Sequence, residues 1–206
     1  MPPNASDAPV VLWNHGTGGQ AFNSVHRVLP GDDARAVASA FAESGWAVVA
    51  MDSALYGTRY PLIDEGFTDG ALGFYNIVNL PAFRDNERQT ALEGRLLAHF
   101  VQDGLQDALP SGTVNPDRIR RFGHSLGAVT THLSVAANPD DYESALVSGS
   151  AGILVYTFLE SGLAGTGHGF FDTMAALLGV DEDEDDMKVI LGAALGILDP
   201  EAQARL

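Results

Sequence analysis

Residues 118–137 run from Arg118-Ile119-Arg120-Arg121-Phe122 through Gly123-His124-Ser125-Leu126-Gly127 into a stretch of small apolar residues that ends at Asn138-Pro139. This stretch constrains the fold more than any other. Its first part reads as a strand and its last as a buried helix closed by proline, and only a turn is left to join them. So sharp a turn needs glycine on both flanks, because a side chain at either place would strike the neighbouring strand or helix. It also holds Ser125 in a strained backbone conformation and pushes it out of the sheet.

The rest of the first 150 residues fits an α/β fold around that turn. Val10-Val11-Leu12-Trp13 is a continuous apolar run that stops at His15-Gly16-Thr17-Gly18-Gly19, as a buried parallel strand ending in a tight loop does. Asp32 and Asp33 supply helix-start chemistry before Ala36, Val37, Ala40 and Phe41, and Gly45 is placed to end that helix. Trp46 to Met51 is the next strand, and the three elements make a βαβ unit, for which a parallel sheet is the economical arrangement. Residues 53–80 form a loop region dense in Gly, Pro and Tyr, long enough to suggest a functional surface. A helix is expected after Pro81, with Leu92, Leu96, Phe100 and Leu105 on its buried face. Asn115-Pro116-Asp117 is a turn and Ala145-Leu146-Val147-Ser148 the fourth strand.

Beyond Gly149 the pattern changes. Residues 153–159 and 170–178 look helical, with a Gly-rich stretch at 162–169 between them and an acidic run at 181–186 after. We expect a core over 1–150 and a helical, lid-like or cap-like insertion over 151–206. The 170–178 segment is either a lid with a greasy face or an ordinary core-facing helix. The acidic run lacks the glycine and distal glutamate of an EF-hand loop, so a solvated helix start is preferred to a calcium site.

Composition narrows the partners. The 206 residues are 46% hydrophobic and 18% charged, the balance of a globular protein. A net charge of −16 repels polyanions, so nucleic acid and anionic headgroups are poor partners. The absence of cysteine rules out disulfides and thiolate metal sites. No stretch approaches the roughly 20 apolar residues that span a bilayer, and residues 1–9 lack the basic and apolar parts of a signal peptide.

The chemistry-bearing residues lie at two strand ends. Gly123, His124, Ser125, Leu126 and Gly127 fit G-x-S-x-G between strand and helix, which makes Ser125 the candidate nucleophile. His15 and Gly16 open the loop that ends the earlier strand. The N–H groups of Thr17 and Leu126 are the expected oxyanion donors, since attack on a carbonyl places negative charge on oxygen and aimed backbone N–H groups stabilise it. His15 is expected to order its own loop rather than transfer protons.

With the HG loop, the strand ending at Asp52 and GHSLGA at 123–128 in order, the chain resembles the α/β-hydrolase superfamily over residues 10–150. Phe74-Tyr75-Asn76 and Arg84-Asp85-Asn86-Glu87-Arg88-Gln89 look like the F-x-N and R-D-N-x-R-Q segments of bacterial extracellular lipases of the virulence-factor type. The resemblance implies a partial α/β-hydrolase fold and a lipase or carboxylesterase, often secreted or held at the cell envelope, with a lid inserted after the sixth strand. Arg84 to Gln89 is expected to brace the loop above it rather than to take part in catalysis.

The superfamily order places an acid and then a histidine after the nucleophile, on loops following two further strands. Two more βα units need about 30 residues each, and nothing after Gly149 reads as a buried strand. His132 is seven positions along the helix from Ser125, about 10 Å down its axis, and is excluded as base. His168, within Gly165-Thr166-Gly167-His168-Gly169, is the candidate base; the alternative is a lid-loop histidine with no part in proton transfer. An incomplete chain would account for the missing acid and base.

The expected function is ester hydrolysis through an acyl-enzyme on Ser125, acting on a small-molecule or lipid ester, with lipid contact through the lid and no metal or organic cofactor. The rivals are acyl transfer or peptide hydrolysis on the same scaffold, and a catalytically incomplete hydrolase-like domain that binds a partner. Nothing in the sequence fixes acyl length or oligomeric state.

Overall fold

The computed structural model describes residues 1–26, 36–60, 71–76 and 79–150. These residues fall in two compact units. Met1–Phe74 and Glu87–Ser150 form one, and Tyr75–Asn86 belong to the other. In the second, Tyr75 and Phe83 meet edge to face with ring centroids 5.3 Å apart. The sheet and the candidate site lie in the first.

Four strands, β1 (Ala8–Asn14), β2 (Ala47–Met51), β3 (Val114–His124) and β4 (Ser144–Ser148), form one sheet in the order β2-β1-β3-β4. All three pairings are parallel. The α/β class with a parallel sheet flanked by helices is therefore observed, and each strand expected from the sequence is present. The lid-like segment lies outside the described residues, as do Asp32 and Asp33.

The helices are α1 (Ala21–His26), α2 (Val37–Glu43), α3 (Ala71–Tyr75), α4 (Leu80–His99), α5 (Leu105–Ala108) and α6 (Leu126–Ala137). The chain steps from β1 to β2 in one direction across the sheet, then returns past β1 to β3 and continues the same way to β4. Because such crossovers are right-handed, α2 covers one face, and α4 and α6 cover the other. Alternation along β3 agrees. Phe122 meets Phe41 of α2 at 5.7 Å, whereas Arg121 and Gly123 lie against Gly94 of α4 and Thr131 of α6.

β1 is the best-buried strand, with Val10 and Leu12 at 0% exposure, which is why it reads as an unbroken apolar run. On the α4 side, Val10, Leu12, Ile119, Ala98 and Val101 pack into one core cluster. Edge strand β4 is largely exposed, with Leu146 at 58%.

Four local expectations need correction. The face of α4 turned to the core is Glu87, Thr90, Ala91, Gly94 and Ala98, while Leu92, Leu96 and Phe100 are exposed. Small residues let the helix sit close to the sheet, where the long Arg121 side chain already fills the layer. Leu105 does pack against the core. A π-helical turn at Phe100–Gly104 comes just before it and changes the helical phase.

At the other helix, α2 begins after Ala36, which makes no side-chain cap, so Asp32 and Asp33 lie too far upstream to be its N-cap. Gly45, at φ +85°, follows its end as expected. Asn115-Pro116-Asp117 is not a separate turn. It lies inside β3 as an irregularity in register, in which Ala8 pairs Val114 and Val10 pairs Ile119, with the Asp117 N–H donating to Asn115 Oδ1 at 3.0 Å. Finally, the 53–80 region contains a 3-10 turn at Gly57–Arg59 and the short α3, and α1 also had no signal in the sequence.

Candidate functional site

The connections from β1 and β3 leave in opposite directions although these strands are neighbours, so their carboxyl ends flank a topological switch point. Open α/β sheets place ligands in the crevice outside such a point. Here it is walled by the loop after Asn14 and by the turn after His124.

Ser125 is at φ +53°, ψ −117°, a region L-residues seldom occupy. It caps α6, is half-buried, and donates its N–H to the Ser148 carbonyl at 2.8 Å. Its own carbonyl accepts from the Ala128 N–H at 2.8 Å. These bonds, with the sheet on one side and the helix on the other, hold the strained residue in place. The flanking glycines are sterically required. A side chain on Gly123 would overlap the Gly127 carbonyl, and one on Gly127 would overlap the Asn14 carbonyl.

Gly16 lies against the serine: a Cβ built on it would be 3.0 Å from Ser125 Cβ and 3.3 Å from the His124 carbonyl. The turn continues with the Gly19 N–H donating to the Gly16 carbonyl at 2.9 Å and with Gly18 at φ +73°, leaving Thr17 half-buried within it. Leu126 is the first residue of α6, so its N–H has no acceptor within the helix. The structure thus brings Gly16 and its Thr17 turn, Ser125 and the start of α6 to one rim of the sheet.

His15 is buried at 2% exposure. The Ser53 N–H donates to Nε2 at 3.1 Å, and Nδ1 lies 2.8 Å from the Gly16 carbonyl, which together fix the neutral ring with its proton on Nδ1. Burial pulls its pKa below the ordinary 6.5, against the opposing pull of the Gly16 carbonyl and of Asp52. The ring joins the end of β1 to the end of β2 and packs on Tyr56 at 5.0 Å.

Sequence reasoning missed the scaffold behind this loop. Asp52 Oδ1 accepts the Ala21 N–H at 2.6 Å and stands 3.7 Å from His15 Nε2. Gly57, at φ +53°, leaves the Asp52 carboxylate the space a side chain would fill. Arg59 then bonds the Asp52 carbonyl at 2.8 Å and grips Glu93 of α4 at 2.6 and 2.7 Å. Burial alone would raise Glu93, but hydrogen bonds from Arg59 and Gln89 hold it below the usual carboxylate range. Arg59 and Glu93 are 34 residues apart, so no local pattern announces the pair. Asp52 did carry a signal, as the first polar residue after an apolar strand.

The other histidines stand elsewhere. His124 is exposed, with Nδ1 3.3 Å from Ser148 Oγ. His99 Nε2 lies 3.5 Å from Asp141. His132 is on α6, seven residues past Ser125 and half-buried. His168, the candidate base, lies outside the described residues, together with the 170–178 segment and the acidic run. Arg84, in the second unit, pairs with its neighbour Asp85 at 2.9 Å. Among the described residues no group of three or more His, Asp or Glu converges as metal ligands, and no helix is long and apolar enough to cross a membrane. No protein-family model and no curated protein matches the chain.

Proposed function

We propose that the chain is a serine hydrolase acting on carboxylic esters through an acyl-enzyme on Ser125. The observation that carries this reading is the backbone of Ser125, held at φ +53° between β3 and α6 with Gly16 against it. Strain of this kind persists where a side chain must be presented at a fixed place. The sequence resemblance to α/β-hydrolases, of the lipase or carboxylesterase type, points the same way.

In this reading Ser125 Oγ attacks the ester carbonyl carbon and gives its proton to a base. The carbonyl oxygen takes the negative charge, and the N–H groups of Thr17 and Leu126 donate to it. Collapse expels the alcohol with that proton and leaves the acyl group on Oγ. Water, deprotonated by the same base, then attacks the acyl carbon and releases the acid. His168 is the candidate base, and no metal or organic cofactor enters. The substrate is a small-molecule or lipid ester.

The test is labelling with a fluorophosphonate probe. Ser125 should be modified, and Ser125→Ala should abolish both labelling and hydrolysis of short p-nitrophenyl esters. A folded chain that resists the probe while a control serine hydrolase reacts overturns the reading. A second reading, a hydrolase-like domain that binds a partner without turnover, is favoured by the open β4 edge. A cleft of about 310 Å³ lies beside it, lined in part by Phe41, Trp46, Phe122 and Leu146. Folding without esterase activity would support it.

A further inference from the structure

We propose that a small monovalent anion, with chloride as its simplest form, binds in the core beside the guanidinium of Arg121, between β3, α4 and α6. Arg121 is 0% exposed, and its Nε, Nη1 and Nη2 are all buried without a hydrogen-bond partner among the described residues. Its seat is built for it. Gly94 stands in the interior of the 20-residue α4, where glycine weakens a helix by about 1 kcal/mol, and a Cβ there would collide with Nη1, Nη2 and Cζ of Arg121.

Hydroxyl donors stand in the same layer as this cation. Thr131 Oγ1 is buried with no partner among the described residues, and it faces Gly123, two residues along the same face of β3 from Arg121. Ser134 lies one turn further along α6, with its hydroxyl 2.8 Å from the Tyr142 hydroxyl. That bond uses one of the two O–H protons and leaves the other to donate elsewhere.

The wholly buried guanidinium is thus paired with no carboxylate among the described residues. A buried charge left without a counter-charge costs several kcal/mol, a large part of the stability of any domain. The missing chemistry is negative charge on an acceptor that offers no hydrogen. Full burial selects a guest of one or a few atoms over a phosphate ester or a carboxylate ligand.

The test is thermal unfolding of the full chain in sodium chloride and in sodium gluconate at equal ionic strength. The midpoint should be higher in chloride and climb about 3–5 °C for each tenfold rise above the dissociation constant. Bromide should act like chloride. Chloride-35 resonances should broaden in the presence of the protein. Arg121→Met should flatten the dependence and remove the broadening, and Gly94→Ala should do the same by displacing the guanidinium. Should Arg121→Met fail to fold, Thr131→Val carries the comparison, with chloride binding weakened about tenfold. Equal midpoints in the two salts, or an undiminished chloride dependence in folded Arg121→Met, overturn the proposal.

Discussion

Gly16 and Ser125, which are 109 positions apart in the chain, approach so closely that a methyl group on the first would stand 3.0 Å from the β-carbon of the second. The residue after Gly16 and the residue after Ser125 are the two proposed oxyanion donors. A methyl group at Gly16 therefore separates the loop from the Ser125 turn by a few tenths of an ångström without touching the core. Gly16→Ala should fold normally and lose about 100-fold in kcat on short p-nitrophenyl esters, the order expected when one donor is misplaced. Steady-state kinetics alongside circular dichroism measures this, and full activity would separate the loop from catalysis.

The strain at Ser125 has a thermodynamic consequence. A residue held at positive φ outside the common regions costs of order 1–3 kcal/mol, and glycine adopts such angles freely. Ser125→Gly should therefore abolish fluorophosphonate labelling and raise the stability of the fold by about 1 kcal/mol, read as a higher urea midpoint with an unchanged slope. A drop in the midpoint would show that the serine hydroxyl stabilises the fold.

His15 predicts a pH dependence with a definite sign. Its folded pKa lies below the ordinary 6.5 of the unfolded chain, chiefly through burial. Between those two values the unfolded state binds a proton that the native state does not, so stability rises with pH. The contribution is complete above pH 6.5 and is lost as pH falls below it. Urea midpoints from pH 8 to pH 5 should decline in the wild type and decline less in His15→Gln, which cannot be protonated.

The helix between β2 and β3 offers a direct contrast. Leu96 is 60% exposed and Ala98 is 0% exposed. Leu96→Gln should change stability by less than about 0.5 kcal/mol. Ala98→Leu should cost about 1–3 kcal/mol by overfilling the layer between α4 and the sheet. The opposite order in denaturant melts would restore the leucine face as the buried one.

The strands and the sharp turn at Ser125 were legible because their signals are local. A run such as Val10 to Trp13 must be buried on both faces, and Gly123 and Gly127 can be read from steric need alone. The face of α4 was not legible, because hydrophobicity ranks Leu92 and Leu96 above Gly94 and Ala98. What decides the outcome is the volume of Arg121 on a strand more than 20 residues away. The role of His15 was legible as a loop brace. Its partners were not, since the Ser53 amide and the Asp52 carboxylate reach it across 37 or more residues.

The divergence of the paths leaving β1 and β3 has one more consequence. The notch holding residues 16 and 125 is made by the routing of the main chain, before any side chain is chosen. Wholesale replacement of the outward surface of α4, or of the solvent-facing residues of β4, leaves that notch unaltered. A change that reversed the handedness of either crossover would erase it, even with every residue around Ser125 retained.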